Sequence, residues 1–274
     1  MTHAEVLLDS INEQGHRLTT LKLRYPRFIH AQVLMHRAFS RSCSSSRAIP
    51  TQTLIGEVMK EPTFDVLGKN KAGMQPGENL EGTDLQEAMF ILEEHRNFSV
   101  LCALQLAKLN VHKQWANRLL EPHAHISVVL TVTDHPGSTP NYLSLRHSQD
   151  AQDEHDCLGK AMKEALDAST PKLLKRGEWH TPLVTREEFD TIPTLELVKV
   201  SAARCARTSY NKHDNSSPVV EEDLALANKL LVSRHSNPFE HQARSEPDSE
   251  GFLCGNFVRG WHQNRKLLER AGIL

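Results

Sequence analysis

The run Ile126-Ser-Val-Val-Leu-Thr-Val132 constrains this chain more than any other stretch. It is short, apolar and β-branched, so it reads as a buried strand. Its neighbours are mixed. Ala4 to Gln14 carries apolar positions at helical spacing and reads as a short helix ended by Gly15. Arg17 to Leu23 closes on an alternating Leu21-Lys22-Leu23 and reads as a strand. Pro26 breaks it, and a helix is expected from about Arg27. Pro50 to Pro62 holds a short helix or strand, and 65–86 is a Gly-, Lys-, Asn- and Pro-rich loop of the kind that serves as a lid or linker. Gly68-Lys-Asn-Lys-Ala-Gly73 lacks the spacing of a nucleoside-triphosphate loop.

Asp84 to Asn117 is strongly helical, with a break expected at Asn97-Phe98. A turn follows over Glu121 to His125. Beyond the central strand and the loop at Pro136 to Pro140, Asn141 to Arg146 reads as helical. Asp150 to Ala168 reads as a charged helix whose acids come first, as the helix dipole favours. Residues 170–194 form a Pro-rich connection. Leu195 to Val200 reads as a strand, Ser201 to Tyr210 as a helix and Glu221 to Ser233 as an amphipathic helix. His235 to His241 is a turn, and Gly255 to Glu269 is helical in its second half. Helices and strands without regular βαβ alternation indicate the α+β class.

A chain of 274 residues suffices for one large domain or two small ones. Its net charge of −2 sets up no global field towards nucleic acid or a membrane. No apolar run approaches the roughly 20 residues of a membrane span, and the N-terminus lacks the pattern of a signal peptide. The cysteines (Cys43, Cys102, Cys157, Cys205 and Cys254) are odd in number and scattered, which suits reduced thiols in the cytoplasm.

Three stretches carry candidate chemistry. Phe28 to Arg47 begins amphipathic and ends in a run of Ser and Arg, groups that together can hold an anion. Arg146-His-Ser-Gln-Asp-Ala-Gln152 gathers Arg, Gln and Asp at a loop-to-helix transition. The third is His235-Ser-Asn-Pro-Phe-Glu-His241. Neither His123-x-His125 nor the His235/His241 pair has acidic or thiol partners at zinc spacing, so no metal is expected.

Read together, these stretches resemble one family. Met35-His-Arg-Ala-Phe-Ser-Arg-Ser-Cys-Ser-Ser-Ser-Arg47 is similar to the R-H-R-x-x-S-x-N-E-x-S-x-R-Y signature of flavin-dependent thymidylate synthases. His36, Arg37, Ser40, Ser45 and Arg47 agree. Met35 replaces an Arg, and Cys43 replaces the Glu. Arg146 to Glu154 resembles the family's R-x-x-x-H-A-Q-x-E, with Asp150 in place of His. His235 to His241 resembles H-x-[TS]-P-F-E-H, Ala203 to Tyr210 resembles A-R-x-S-[YF], and Arg118 before Pro122 resembles R-x-x-L-P. In the family the P-F-E-H turn precedes the signature. Here it follows, so the chain looks circularly permuted, and Asn256 to Lys266 resembles a second, degraded copy of the strand-to-helix element.

The resemblance implies a single domain over 1–274, with mixed helices around a small antiparallel or mixed sheet. It implies FAD as cofactor, NADPH and methylenetetrahydrofolate as co-substrates, and C5-methylation of a pyrimidine nucleoside monophosphate of the dUMP type. UMP as substrate, a hydroxymethyl product, or a non-catalytic nucleotide- or nucleic-acid-binding relative are the alternatives. Arg146 and Ser45 are the catalytic residues it implies. His36, Arg37, Ala38, Asn141, His235, Asn237 and Glu240 would face the flavin. Gln32, Cys43, Ser44, Ser45, Arg47, Arg118 and Arg146 would face the nucleotide. A homotetramer is also implied.

Overall fold

The computed structural model describes residues 1–64, 66–73, 75–148, 150–209, 219–257 and 259–274. Among them the chain runs β1 (His3–Asn12), β2 (Arg17–Pro26), α1 (His30–Leu34), β3 (Ser40–Cys43), α2 (Thr51–Lys60), α3 (Gly82–Lys108), α4 (Lys113–Ala116) and β4 (His125–Thr133). It continues through α5 (Thr139–Arg146), α6 (Asp153–Asp167), β5 (Lys172–Leu174), β6 (Trp179–His180), α7 (Arg186–Thr191) and α8 (Thr194–Ala206). It ends with α9 (Val220–Val232), β7 (Ala243–Ser245), β8 (Trp261–Gln263) and α10 (Asn264–Arg270). The fold is α+β. A five-stranded sheet has the order β3-β4-β2-β1-β5, and a second sheet the order β6-β7-β8. All pairings are antiparallel except β1 with β5, so the larger sheet is mixed.

The strand read at 126–132 is β4, and it lies between β3 and β2. Because side chains alternate along a strand, the larger sheet has two different faces. One face presents Leu21, Leu23 and Tyr25 of β2 with Ile126, Val128, Leu130 and Val132 of β4. These pack with Ile29, Val33, Phe39, Tyr142, Leu158 and Met162 from α1, α5, α6 and their flanks into the main apolar core. The opposite face presents Ser10, Thr20, Thr131, Ser40 and Ser42, every one of them buried. A buried hydroxyl without a partner costs about 1–3 kcal/mol, so this face needs polar cover.

The smaller sheet supplies that cover. His180 of β6 places Nδ1 2.8 Å from Ser10 Oγ and Nε2 2.8 Å from Thr20 Oγ1. Thr20 Oγ1 lies 2.7 Å from Thr131 Oγ1. His241 then places Nδ1 2.9 Å from Thr131 Oγ1 and Nε2 2.9 Å from Ser42 Oγ. The chain Ser10–His180–Thr20–Thr131–His241–Ser42 thus crosses β1, β2, β4 and β3. Each neutral imidazole has one proton to give, so each ring donates at one nitrogen and accepts a hydroxyl proton at the other. Beside this relay, Leu18, Leu174, Ala243, Phe257 and Trp261 form an apolar cluster between the two sheets. Gly260 lets the backbone close on β1: Asn12 Nδ2 donates to Gly260 O at 3.0 Å, and a Cβ there would meet that nitrogen at 2.1 Å.

Several expectations change. Residues 4–12 belong to strand β1 and 13–14 to the turn after it, not to a helix. The register slips between Val6 and Leu8, so a bulge breaks the period-two alternation and leaves a helix-like spacing of apolar residues. Asn12 Oδ1 accepts from Gln14 N and His16 N, which turns the chain into the hairpin with β2. The helix expected from Arg27 is a 3₁₀ turn (Arg27–Ile29) and a five-residue α1, after which the signature stretch enters β3. No break occurs at Asn97-Phe98, because α3 runs unbroken for 27 residues. The turn at 121–125 is the end of a 3₁₀ segment, Asn117–His123.

Leu195 to Val200 is not a strand. It is the first half of α8, which buries most sides and so shows a continuous apolar run instead of a stripe. The Pro-rich connection contains β5, β6 and α7, the last started by a capping box between Thr185 and Glu188. Tyr210, the end of the helix read from Ser201, lies outside the described residues, as do Asp65 and Met74 of the long loop.

Candidate functional site

The signature stretch divides as it folds. α1 ends at Leu34, and the chain tightens through a turn in which Phe39 N donates to His36 O. Arg41 donates to Leu34 O at 3.1 Å and His36 O at 2.8 Å, satisfying carbonyls left open by the helix end. Phe39 is buried, and its ring lies beside that of His36 with 5.7 Å between centroids. Tyr142 of α5 meets the His36 ring edge-on at 4.8 Å.

Arg146, the last residue of α5, lies one helical turn after Tyr142, on the same face. Its Nε donates to His36 Nε2 at 3.4 Å, across 110 positions of sequence. The two stretches that resemble the family at opposite ends of the first half thus meet. Burial, Arg146 and Arg41 all lower the His36 pKa, and a ring whose Nε2 accepts a hydrogen bond from Arg146 is neutral. With Nε2 accepting, the ring proton sits on Nδ1. Among the described residues no carboxylate pairs with Arg146.

Two groups that the sequence did not single out complete this corner. The Tyr142 hydroxyl is buried without a hydrogen-bond partner, and burial pushes its ionisation upward. His155 of α6 is fully buried, and neither ring nitrogen has a partner. Desolvation, with the charges of Arg146 and His36, brings it down to about 4. Tyr142 was legible as the aromatic four residues before Arg146. His155 carried no local signal. α6 reaches this corner because Gly159 sits under the end of α5: a Cβ there would stand 2.8 Å from His147 Cβ. His147 also bonds Asp156 at 2.7 Å, pinning the two helices together.

The rest of the stretch goes elsewhere. Ser40 is fully buried and accepts from Asn256 Nδ2 at 3.3 Å and Gln263 Nε2 at 3.2 Å. Ser42 ends the relay described above. Cys43 faces the main core, and burial raises its thiol to about 11, so it is a neutral thiol where the family has a carboxylate. Ser44 Oγ accepts from Ser127 N at 3.1 Å, extending the β3–β4 pairing. Ser45 is half-buried, and Arg47 is exposed. Ser46 Oγ donates to Glu121 Oε1 at 2.5 Å. Glu121 also pairs with Arg27 at 3.2 Å and Arg118 at 3.3 Å. Arg27, Phe28, His30, Leu34, Arg118 and Glu121 line a groove of about 430 Å³, in which one carboxylate stands against two guanidinium groups.

The P-F-E-H turn packs on the signature strand. Phe239 is buried, and His241 bonds Ser42 across 199 positions. Gln263 Nε2 donates both to Glu240 O and to Ser40 Oγ. The Glu240 carboxylate is taken by Arg265. His235 and Asn237 are exposed, as are Arg37 and Asn141, while Ala38 is half-buried. Gln32 stands on α1 with its side-chain oxygen buried and unpartnered. Arg204 and Arg207, from the segment resembling A-R-x-S-[YF], are turned inward to Glu188 and Asp223. Gln149 lies outside the described residues. The structure therefore brings His36 to Arg146, and Ser40 and Ser42 to the 237–241 turn. It draws Arg118 and Ser46 to Glu121.

Among the described residues no three His, Cys, Asp or Glu side chains are grouped to hold a metal. No described helix is long and apolar enough to cross a membrane. The donor set implied for a flavin includes an exposed guanidinium (Arg37), two exposed amides (Asn141, Asn237) and an exposed imidazole (His235). The unpartnered oxygen of Gln32 and the unpartnered hydroxyl of Tyr142 sit on the helices flanking His36. These groups suit a planar, anionic, hydrogen-bonding ligand.

No family model matches the chain, and no curated protein matches it. Among solved structures it is similar to a UMP/dUMP methylase, PolB from Streptomyces cacaoi, bound with 5-Br UMP. The two are 15% identical with a TM-score of 0.49, over 61% of this chain and 88% of that one. The same enzyme bound with 5-Br dUMP is 17% identical with a TM-score of 0.42, over 55% of this chain and 65% of that one.

Proposed function

We propose that this chain binds a pyrimidine nucleoside monophosphate and modifies its C5 position in a flavin-dependent one-carbon transfer, with dUMP or UMP as substrate. The observation that carries the reading is the contact between His36 and Arg146. Two stretches matched separately to one family meet at 3.4 Å across 110 residues. When bound, FAD would supply hydride transfer, with methylenetetrahydrofolate as carbon donor and NADPH as reductant. His36, Arg37, Asn141, His235 and Asn237 would hold it.

The chain's own residues then have defined tasks. Arg146 keeps a guanidinium free of carboxylates beside a neutral imidazole, so its remaining N–H groups can bond the polarised oxygen of a pyrimidine. His36 orients that guanidinium through Nε2 and keeps its proton on Nδ1. Phe39 and Tyr142 exclude water from the ring's flanks, which strengthens the electrostatic interaction. Arg47, Arg118 and Ser45 would take the phosphate.

Arg146→Ala is expected to weaken dUMP or UMP binding about ten- to hundredfold, the loss of a charge-assisted hydrogen bond of roughly 1.5–3 kcal/mol. Isothermal titration would read it, with unchanged far-ultraviolet circular dichroism as the control for folding. Unchanged affinity would remove Arg146 from the site. Bound flavin is tested by absorbance of the purified protein and by titration with FAD.

A second reading is favoured by Cys43 and Met35. A half-buried neutral thiol and an exposed thioether stand where the family has a carboxylate and a guanidinium. A chain that binds nucleotide without catalysis would take up dUMP or UMP yet no FAD, even at excess FAD.

A further inference from the structure

A second cavity shares no residue with the corner of His36 and Arg146 or with the groove at Glu121. It holds about 420 Å³, within the roughly 300–1,000 Å³ of small-molecule sites. Helix α3 supplies one wall: Gln86, Met89, Phe90, Glu93 and Arg96 recur at helical spacing and so share one side. The segment after α2, Pro62 to Phe64, lines it too, as does His123. The aromatic part of the lining is held in place. Phe64 stacks on Phe28 with centroids 5.0 Å apart and meets the His123 ring edge-on at 6.5 Å. His123 is itself fixed by a 2.8 Å bond to His95. Phe90 is 62% exposed, so its ring is free to cover a ligand.

Two polar groups of the lining have no partner among the described residues. Thr63 is only 4% exposed, and its hydroxyl is buried and unbonded. Arg96 has 13% of its side chain exposed. A terminal nitrogen donates to Glu93 at 2.9 Å, while the buried Nε donates to nothing. Buried polar groups left unpaired are costly and call for an explanation. Both can donate, so the complementary group is an oxygen acceptor.

Charge narrows the class. Glu93 already neutralises Arg96 and is itself largely exposed, and Glu94 follows it on α3. A carboxylate or phosphate entering here would meet acid without a free cation. A neutral carbonyl would not, and the N–H of an amide could donate to the Glu93 carboxylate.

We propose that this cavity binds a neutral, planar aromatic molecule of one or two rings that carries a carboxamide. The ring lies against Phe64, Met89 and Phe90. The carbonyl oxygen accepts from Thr63 and Arg96, and the amide nitrogen donates to Glu93. The proposal does not rest on the nucleotide reading.

Benzamide is the probe, titrated into the full chain with its methionine methyl groups labelled with carbon-13 and followed by nuclear magnetic resonance. The Met89 signal, identified by its loss in Met89→Leu, is expected to shift saturably with a dissociation constant of about 1–10 mM. A quinoline carboxamide, with a second ring, should bind about tenfold tighter, and benzoate about tenfold weaker than benzamide. Thr63→Val keeps the side-chain shape and removes only the hydroxyl. It and Arg96→Met should each weaken benzamide about fivefold. Should either fail to fold, Phe90→Ala, at an exposed ring, should weaken binding in a folded chain. Saturating dUMP, UMP or FAD should leave the titration unchanged, and Arg146→Ala should bind benzamide as before, so this proposal and the nucleotide reading can fail separately. No Met89 shift at about 50 mM benzamide would mean a cavity filled by solvent alone and would overturn the proposal. So would benzoate binding as tightly as benzamide, binding indifferent to Thr63→Val, Arg96→Met and Phe90→Ala, or displacement by a nucleotide or FAD.

Discussion

Replacing Arg204 by Met is expected to lower the stability of the folded chain by about 3–5 kcal/mol, the range for breaking a buried ion pair from one side. The guanidinium is almost wholly enclosed, with 6% of its side chain exposed, and every edge is used. Nε donates to Asp223 at 2.8 Å, one terminal nitrogen donates to Leu183 O at 2.8 Å and Glu188 at 2.7 Å, and the other donates to Glu188 at 2.6 Å. The substitution strands the Asp223 carboxylate, which has no exposure, with Arg207 as its remaining cation. It also frees Glu188, whose carboxyl the Arg204 contact holds down at about 2. α7, α8 and α9 meet at this point, so the loss spreads across that side of the fold. Urea unfolding would read it as a lower midpoint at unchanged slope. Arg118→Ala, at an exposed pair with Glu121, should stay within about 1 kcal/mol, as surface pairs do. Equal effects for the two would mean that the Arg204 network is solvated.

Lowering the pH from 7 to 5 is expected to remove several kcal/mol of stability, before any carboxylate titrates appreciably. His180 and His241 are completely buried. Desolvation is the largest cause in both and brings each down to about 3; for His180 the neighbouring His241 adds to it and Asp9 opposes it. In the unfolded chain each titrates near 6.5. Between those values the unfolded state binds protons that the folded state refuses, so stability rises with pH there and is lost as pH falls below about 6.5. Each imidazole contributes a slope of up to about 1.4 kcal/mol per pH unit. The two together give about 4 kcal/mol by pH 5, and His155 adds in the same direction.

The relay sharpens this loss, because a protonated imidazole has no acceptor to offer its hydroxyl neighbours. Glu188 contributes only below its ordinary range near 4.5, since its stabilisation is lost as pH falls towards about 2. Urea midpoints at pH 5, 6, 7 and 8 would measure the slope. A flat profile between 7 and 5 would show that both rings are hydrated or already charged in the folded protein.

Much of the scaffold was legible in the residues. The β-branched run at 126–132 became β4, with a paired neighbour on each side. The helical periods at 139–146, 153–167 and 220–232 appeared close to their expected bounds, and the stretch between Pro50 and Pro62, left open as helix or strand, is the helix α2. The failures share a cause. The β1 segment misled because its bulge imitates helical spacing, and α8 because burial on most sides erases its stripe. In both cases the partner decides the conformation, and the partner is remote.

The site divides along the same line. Arg146, His36 and the 235–241 turn were visible as residue types in patterns, because those patterns are local. That Ser40 and Ser42 face a buried polar layer, and that Cys43 faces the apolar core, follows from strand alternation in β3 once its pairing with β4 is set. Tyr142 and His155 gained their meaning from α5 and α6 packing at Gly159.

The sequence by itself determined the α+β class, most helix positions, the central strand and the residue types that could bind a nucleotide. Each rests on propensity or periodicity within a window of a dozen residues. Only the tertiary structure decided that His36 meets Arg146 and that His180 and His241 stitch four strands together. Those outcomes depend on which buried hydroxyls, rings and charges find partners a hundred or more residues away. That choice is made by the packing of whole layers, where an unsatisfied polar group is too costly to leave.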